Sequence, residues 1–464
     1  MSKLPRFIAI AIIWFGCSFA VAQTGDCYAV LAGCLDSSFG NGTGRVTTAV
    51  PNTRANVAAV GVQDLGTPSS PDQRIVAVGS SAWTTTRGKF QIWNYNWIVA
   101  RYDQSGNLDT SFGSNGTGII TKTNNAVANG VAIQPDNKIL VAGSAPNSKG
   151  YVLFTVARYG VNGLPDTSFG TGGLVQIPVT VGACSSKNNG GSGDANGIAV
   201  QSDGKIVVAG RCFGDHLGVV RLNINGTLDA TFGTSGQFVY SGAAWATPWA
   251  PLALDSTQRI VVAGSVLTDS TTGVHTNALL RLTAKGSLDT SFGASGVVVT
   301  KFLDHMGYNM SVGIDASDRV LTTGNSLSTT SLDSERMVLA RYNTDGTLDT
   351  SFNGSGFLIG SPVLDFDYGT AVGLQTDGKI LVGGSERTLN GGYFAAWRFN
   401  ADGSPDVNFG ANGEVTTSLA ADNQNFAYAA AQQSDGKLVL GGLSTSTASA
   451  NSDWRGTGGS EIEQ

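Results

Sequence analysis

Charged residues are scarce in this chain. Asp, Glu, Lys and Arg make up 13% of its 464 residues, about half the usual fraction. No proline-rich segment or block of like charges occurs, and the hydrophobic content is 41%, so the composition excludes a largely disordered chain. The net charge is −6, which argues against nucleic acid or an anionic membrane surface as the partner.

Motifs of catalysis are missing as well. The chain has three histidines, His216, His275 and His305, which lie in different repeats. It contains no G-x-S-x-G, H-E-x-x-H or C-x-x-C motif. Its glycine-rich stretches, such as 190–193, precede strand-like segments rather than helices, which excludes the common nucleotide-binding loops. The sequence therefore gives little support for an enzyme.

Helical periodicity is absent after the N-terminus, whereas glycine is abundant at 63 residues. Short Val-, Ile- and Thr-rich runs alternate with turn signals every 8–12 residues, a pattern that predicts an all-β chain.

The first 22 residues have the three regions of a signal peptide. Lys3 and Arg6 precede a short apolar run at 7–19, and Ala20-Val21-Ala22 offers a cleavage site. We predict an exported protein, in the periplasm, at the cell surface or secreted. No membrane span is expected after cleavage, and the formal charge then falls to −8 because Lys3 and Arg6 are removed.

Four cysteines remain after removal of that segment. An even number in an exported chain predicts disulfides. Cys184 and Cys212 flank two strands of one repeat and are expected on the same face, so a bridge between them is geometrically reasonable. Cys27 and Cys34 are then left to pair locally.

One six-residue motif, LDTSFG or a close variant, recurs throughout the chain, and we call it the repeated phrase. Its phenylalanines stand 57 to 73 residues apart, at Phe39, Phe112, Phe169, Phe232, Phe292, Phe352 and Phe409. A fixed period of this length indicates a repeat architecture.

Each repeat contains four strand-like pieces, which predicts one blade of a β-propeller. We count seven first strands, near residues 57, 128, 196, 250, 310, 370 and 427, and therefore predict seven blades of four antiparallel strands. An N-terminal strand would complete the C-terminal blade and close the ring; Tyr28–Leu31 is an alternative third strand for that blade. The propeller would span residues 23–455, followed by a polar tail at 456–464.

The repeats resemble the delta-60 repeat family of exported bacterial proteins. The resemblance rests on LDTSFG, on the hairpin DGKIVVAG (203–210) and on VARY (156–159), and it extends over the whole mature chain. It implies a β-propeller and supplies no catalytic residues. Asp-Gly at 203–204, 377–378 and 435–436 predicts type I′ turns. Ser256-Thr257-Gln258 and Ser317-Asp318-Arg319 replace it at their hairpins, and looser turns are expected there.

The residues that recur in every repeat are interpreted as structural. A catalytic or ligand-binding residue is normally needed once in a protein, whereas a residue that stabilises the fold is needed in every blade. The Asp of each phrase is expected to accept N–H groups one or two residues on. The Phe is expected to pack between blades. The Arg of the ARY motif is expected to pair with that Asp or with backbone carbonyls.

Function is expected on the opposite face, where the loops differ between repeats. Asp304, His305, Asp365 and Asp367 fall on corresponding loops of neighbouring repeats, and carboxylates with one His could hold Ca²⁺ or a transition metal. They lack EF-hand-like spacing, so solvated loop acids and no cofactor are expected. Aromatic clusters include Trp245 and Trp249, and also residues 83–97; they suit glycan or protein contact, and packing beneath the loops suits them equally.

We therefore predict a monomeric, non-catalytic exported propeller whose variable loops bind a glycan or an envelope protein. The alternatives are a glycan lyase or hydrolase that uses Asp304, Asp365 and Asp367, and a purely structural surface protein.

Overall fold

A computed structural model describes residues 7–14, 34–50, 54–122, 125–184, 190–245, 250–303, 306–328, 331–360, 366–388, 391–419 and 423–446. Within these residues the chain consists of β-strands and one short 3-10 helix, Gly182–Cys184. The all-β class predicted from composition and turn spacing is confirmed.

Six blades are antiparallel meanders of four consecutive strands. Blade 1 comprises β4 (Arg54–Asp64), β5 (Gln73–Arg87), β6 (Phe90–Tyr102) and β7 (Ile119–Lys122). Blade 2 comprises β8 (Val127–Ile133), β9 (Ile139–Pro146), β10 (Val152–Tyr159) and β11 (Leu174–Ile177). Blade 3 comprises β12 (Gly193–Val200), β13 (Ile206–Cys212), β14 (His216–Leu222) and β15 (Gln237–Val239).

The second half of the chain repeats this order. Blade 4 comprises β16 (Leu252–Leu254), β17 (Ile260–Asp269), β18 (Val274–Leu282) and β19 (Val297–Thr300). Blade 5 comprises β20 (Gly307–Ile314), β21 (Val320–Ser328), β22 (Ser331–Tyr342) and β23 (Phe357–Ile359). Blade 6 comprises β24 (Phe366–Leu374), β25 (Ile380–Thr388), β26 (Gly391–Phe399) and β27 (Glu414–Thr417). One parallel bridge between β22 and β24 joins blades 5 and 6.

The prediction of seven four-stranded blades is wrong: the described chain has six. Strands β28 (Asn423–Gln432) and β29 (Leu438–Ser446) are not followed by a third and fourth strand in the described residues. They belong to a five-stranded sheet with β1 (Phe7–Trp14), β2 (Cys34–Leu35) and β3 (Arg45–Ala49). The count of first strands overestimated the blades because β28 begins a sheet built from both parts of the chain.

In this five-stranded sheet, β1 lies between β29 and β3 and pairs antiparallel with both. The sheet packs against blade 1 through Phe39, Ala429 and Val439 and against blade 6 through Leu438 and Leu440. Strand β1 falls within the predicted signal peptide, which stays a prediction. Tyr28–Leu31 and the tail 456–464 lie outside the described residues.

The turns between first and second strands differ from the predicted type I′. In blade 3 the N–H of Gly204 donates to Gln201 O at 2.9 Å, and of the turn residues only Gly204 has a positive φ, +81°. This is a type I turn followed by a left-handed residue. The expected loosening is also wrong: Gln258 and Asp318 occupy the same conformation, with φ of 65° and 60°.

A β-bulge in the first strand explains the glycine of the repeated KIVVAG stretch. In blade 3 the bulge lies between Ala195 and Gly197. It brings Asp194 O so close that a Cβ on Gly210 would stand 2.0 Å from it. Five further second-strand glycines are in the same position: Gly79, Gly143, Gly324, Gly384 and Gly442.

Candidate functional site

The Asp and Phe of the repeated phrase, together with the Arg of the ARY motif, stabilise the blades; we call this repeated scaffold the frame. Six Arg–Asp pairs have Nε–Oδ2 distances of 2.7–2.9 Å: Arg101–Asp109, Arg158–Asp166, Arg221–Asp229, Arg281–Asp289, Arg341–Asp349 and Arg398–Asp406. Each guanidinium also lies over the phenylalanine of its own phrase, 4.3–4.8 Å from the ring centroid.

The arginine of each Arg–Asp pair also links its blade to the next one. Arg281 donates from Nη1 to Thr344 O of the following blade at 2.6 Å, and four other arginines make the equivalent bond. All seven phenylalanines of the phrase are fully buried. A Cβ on Gly286 of blade 4 would stand 2.7 Å from the ring of Phe232 of blade 3, so the ring packs between blades. The predicted roles of Asp, Arg and Phe are confirmed.

These acids are also held in their ionised form. Burial acts to raise the pKa of Asp166, but the hydroxyl and N–H of Ser168 and the charges of Arg158 and Lys138 lower it to about 2. Lys205, which follows an Asp-Gly turn, lies 3.1 Å from Asp229, so the turns and the phrases share one face. We call it the constant face. Its charges are paired with one another, which leaves the opposite, variable face for a ligand.

The variable face contains the predicted disulfide. Cys184 and Cys212 are bonded, with their Cα atoms 5.7 Å apart, within the usual range. Cys34 is disulfide-bonded as well, while its predicted partner Cys27 lies outside the described residues. A disulfide is typical of proteins that fold in an oxidising compartment.

The residues predicted to form a binding site differ in where the structure places them. Trp245 is fully buried and packs edge-on against Tyr240, with ring centroids 6.2 Å apart, so it lies beneath the loops rather than on the surface. Trp249, Asp304, His305 and Asp365 lie outside the described residues. Asp367 is described, and it is buried near the start of β24.

Asp367 belongs to an acidic cluster that the sequence did not reveal. It lies directly opposite Glu386 of β25, and Glu414 begins β27 of the same blade. Side chains directly opposite in antiparallel strands have Cβ atoms about 5 Å apart. Burial, followed by the charges of Glu414 and Glu386, raises the pKa of Asp367 to about 7. Its Oδ1 atom has no hydrogen-bond partner among the described residues.

A second acid lies at the seam between blades 5 and 6. Glu335 of β22 pairs with Phe366 in the parallel bridge and accepts a 2.5 Å hydrogen bond from Asn325. Burial raises the pKa of Glu335, against hydrogen bonds from Asn325 and Tyr368. Both acids are thus desolvated at the variable-face end of neighbouring strands.

This chemistry suits proton sharing better than metal binding. No group of three or more His, Cys, Asp and Glu side chains with a geometry able to hold a metal ion occurs in the described part of the chain. A carboxyl with a raised pKa beside a second carboxyl is the arrangement of a general acid and its partner.

A group of four exposed apolar residues on the variable face lies on a projecting hairpin. In blade 2 the second and third strands pair from Ile139–Tyr159 to Pro146–Val152. In blade 1 the pairing continues for five further residue pairs, to Arg87–Phe90. At about 3.4 Å per residue, this extends the hairpin by about 17 Å. We call residues 82–95 the blade 1 arm; the aromatic stretch 83–97, which was expected among the variable loops, is largely strand.

Both surfaces of the blade 1 arm carry exposed apolar groups. Strand alternation places Phe90 and Ile92 on one surface and Trp93 and Tyr95 on the other. Their exposed fractions are 77%, 40%, 40% and 36%. Contiguous exposed aromatic groups of this kind mark interaction surfaces.

Six stretches of the chain match one protein-family model, described as a domain of unknown function (DUF5122) beta-propeller. The matches cover residues 70–112, 134–169, 201–232, 259–292, 318–352 and 375–409. Repeats that match this β-propeller family model therefore occur along the chain. Each DUF5122 match ends at the phenylalanine of a repeated phrase, and the six matches correspond to the six four-stranded blades. The delta-60 name stays a prediction.

Solved structures also resemble the propeller. A polysaccharide lyase, PL25 ulvan lyase, is 10% identical over 80% of this chain and 87% of its own, with a TM-score of 0.44. A protein of unknown function from Dyadobacter fermentans is 10% identical over 85% and 99%, with a TM-score of 0.35. Sqt1 from Chaetomium thermophilum is 10% identical over 85% and 96%, with a TM-score of 0.38. Likenesses at this level carry no information about function.

No curated protein matches the sequence. Among the described residues, no helix is long and apolar enough to cross a membrane.

Proposed function

We propose that the chain is an exported, non-catalytic propeller that binds a polysaccharide of the cell envelope or its surroundings through its variable face. The observation that carries the proposal is the blade 1 arm, which exposes Trp93 and Tyr95 two residues apart on one surface. Flat aromatic rings pack against the apolar faces of pyranose rings, and the threonine hydroxyls of the same surface can bond to sugar hydroxyls.

The constant face is a poor candidate for the binding surface, which supports the choice of the variable face. Its arginines and aspartates are paired and buried, so they serve every blade alike. A rigid frame with binding residues on variable projections is a common design for recognition proteins.

The test is a binding measurement of the full chain on a panel of immobilised polysaccharides. We expect at least one polysaccharide to bind without being degraded, and the double substitution W93A/Y95A to weaken that binding about tenfold or more, the loss expected for two stacked aromatics. The matched control is V407A, because Val407 is 64% exposed and lies in a repeated phrase on the constant face. Equal weakening by V407A, or no binding to any polysaccharide, would refute the proposal.

The second candidate function is glycan cleavage, for which the Asp367–Glu386 pair is the specific observation. Retaining glycosidases hold two carboxyl groups about 5 Å apart, and one of them has a raised pKa. Release of reducing ends or unsaturated products from the bound polysaccharide, abolished by D367N, would favour this candidate over the binding protein.

A further inference from the structure

The blade 1 arm is locally cationic on an acidic chain. The whole chain has 34 acidic and 28 basic residues. Residues 73–102, which comprise both strands of the hairpin, contain no Asp or Glu and four Arg or Lys. The charge of this hairpin is therefore opposite in sign to that of the chain as a whole.

Only two of these four cations are free for a partner. Arg74 is paired with Asp72 at 2.8 Å, and Arg101 with Asp109 at 2.9 Å. Arg87 and Lys89, by contrast, stand at the exposed tip, and within the described chain neither forms an ion pair. The tip thus presents two positive charges about 17 Å beyond the hairpin of blade 2.

The charges and the aromatic groups lie within reach of one polymer. Arg87 is directly opposite Phe90 and shares its surface, whereas Lys89 lies in the two-residue turn at the end of both surfaces. Trp93 lies opposite Thr84 on the other surface, three pairs nearer the disc, which is about 10 Å or roughly two sugar rings of an extended chain. A polysaccharide that follows the Trp93–Tyr95 surface and passes over the tip would contact the rings with its apolar faces and, at the tip, the ammonium and guanidinium groups with its substituents.

We infer that the blade 1 arm selects an anionic polysaccharide, one that bears carboxylate or sulfate groups. This inference rests on the proposed function and narrows it. A guanidinium recognises a carboxylate or sulfate with two parallel hydrogen bonds, and a neutral glucan offers it no such partner. Charge attraction over the solvent-exposed arm is weakened by salt, so the affinity depends on ionic strength.

The experiment compares polygalacturonate with highly methyl-esterified polygalacturonate, which has the same sugar backbone without its charge. The protein is the full chain, and affinity is measured by calorimetry at 20 mM and 300 mM NaCl. We expect polygalacturonate to bind about tenfold or more tightly than the ester, and R87Q/K89Q to remove that preference. The matched control is K149Q, because Lys149 stands in the corresponding hairpin of blade 2, where no exposed aromatic accompanies it.

The outcomes separate the two proposals. Equal affinity for the acid and the ester overturns the inference and leaves polysaccharide binding in place. Binding to neither polymer, nor to any other polysaccharide of the panel, overturns both. Single-stranded DNA is the control for charge alone: if it binds as tightly as polygalacturonate and W93A/Y95A has no effect, the surface recognises charge and not sugar, and the inference fails. A K149Q loss equal to that of R87Q/K89Q would also overturn it, because the arm would then have no special role.

Discussion

Replacing Asp367 with asparagine is expected to stabilise the protein at neutral pH. The side chain is 4% exposed, and burial, with Glu414 and Glu386 nearby, raises its pKa from an ordinary 3.8 to about 7. An asparagine has nearly the same shape and never becomes charged. D367N therefore removes the cost of ionisation in a buried, negatively charged environment while it keeps the packing.

The sign follows from the protons bound in each state. Between about pH 4 and pH 7 the folded protein keeps the proton on Asp367, whereas the unfolded chain loses it, so the free energy of unfolding falls as the pH rises. A shift of about three pH units corresponds to at most about 4 kcal/mol. The stabilising contribution is fully present below about pH 4 and is lost by about pH 7.

Urea unfolding at pH 4, 5, 6, 7 and 8 measures this difference. We expect wild type and D367N to have similar free energies of unfolding at pH 4. Between pH 4 and pH 7 the free energy of unfolding of D367N should exceed that of wild type by a steadily growing amount. The control is D269N: the hydrogen bonds of Thr272 and Thr271 lower the pKa of Asp269, so no gain should occur in this window. Parallel pH profiles of wild type and D367N from pH 4 to 8 would refute the reasoning.

Three further predictions concern the frame. D166N should lower the free energy of unfolding by about 2 kcal/mol at pH 7, because the pKa of Asp166 is lowered to about 2; urea unfolding should show the difference shrinking as the pH falls from about 4 to about 2. G286A should lower the melting temperature more than G273A, since both glycines have positive φ but only a Cβ on Gly286 would clash with a phenylalanine; equal shifts would contradict the interblade packing. Replacing Cys184 and Cys212 with serine should lower the free energy of unfolding by about 3.6 kcal/mol, the loop-entropy estimate for a sequence separation of 28. Reductant should destabilise the wild type but not the double variant in thermal unfolding.

The sequence predicted the repeated part of the fold well, because each blade repeats the same local chemistry. Asp, Ser and Phe of the phrase form a turn whose bonds are short in sequence: Ser111 N–H donates to Asp109 Oδ1 at 3.0 Å, and the equivalent bond recurs in other blades. Local interactions of this kind are readable from residue types alone.

The prediction failed where distant segments meet. The apolar run that contains Phe7–Trp14 suits a signal peptide and equally suits a strand buried on both faces, and periodicity cannot distinguish the two. In the structure it pairs with Leu438–Ser446, more than four hundred residues away. The sequence predicted an N-terminal strand in the sheet of the C-terminal strands, but no local signal showed that this run would be one of its strands. The resulting sheet has five strands from both parts of the chain, so the count of seven four-stranded blades was too high.

The functional residues were missed for a different reason. The arm was taken as a loop because this segment differs between the repeats. Thr84–Thr86 has no period-two pattern, but residues 93–97 (WNYNW) do alternate aromatic and polar side chains, so a strand signal was present in this half of the arm. A second cue was the unusual length of the segment between KIVVAG-like and VARY-like stretches in the first repeat.

Alignment of the blades at the first-strand bulge offers a sharper criterion. The position two residues before the bulge is Ala55, Ala126, Gly193 and Gly307 in blades 1, 2, 3 and 5, but Asp367 in blade 6. Four blades thus have a side chain of one carbon or none at this point, whereas the five-stranded sheet has the buried, neutral Asn425. A buried acid here lowers stability at neutral pH and makes no hydrogen bond through Oδ1 to a described residue. Because four blades fold without it, Asp367 has no evident role in folding. A buried acid that lowers stability and that folding does not require is best explained by a function at the variable face, either binding a ligand or holding a proton. D367N separates these two roles. The polysaccharide affinity should stay unchanged if Asp367 only holds a proton, and it should change if the carboxyl contacts the ligand.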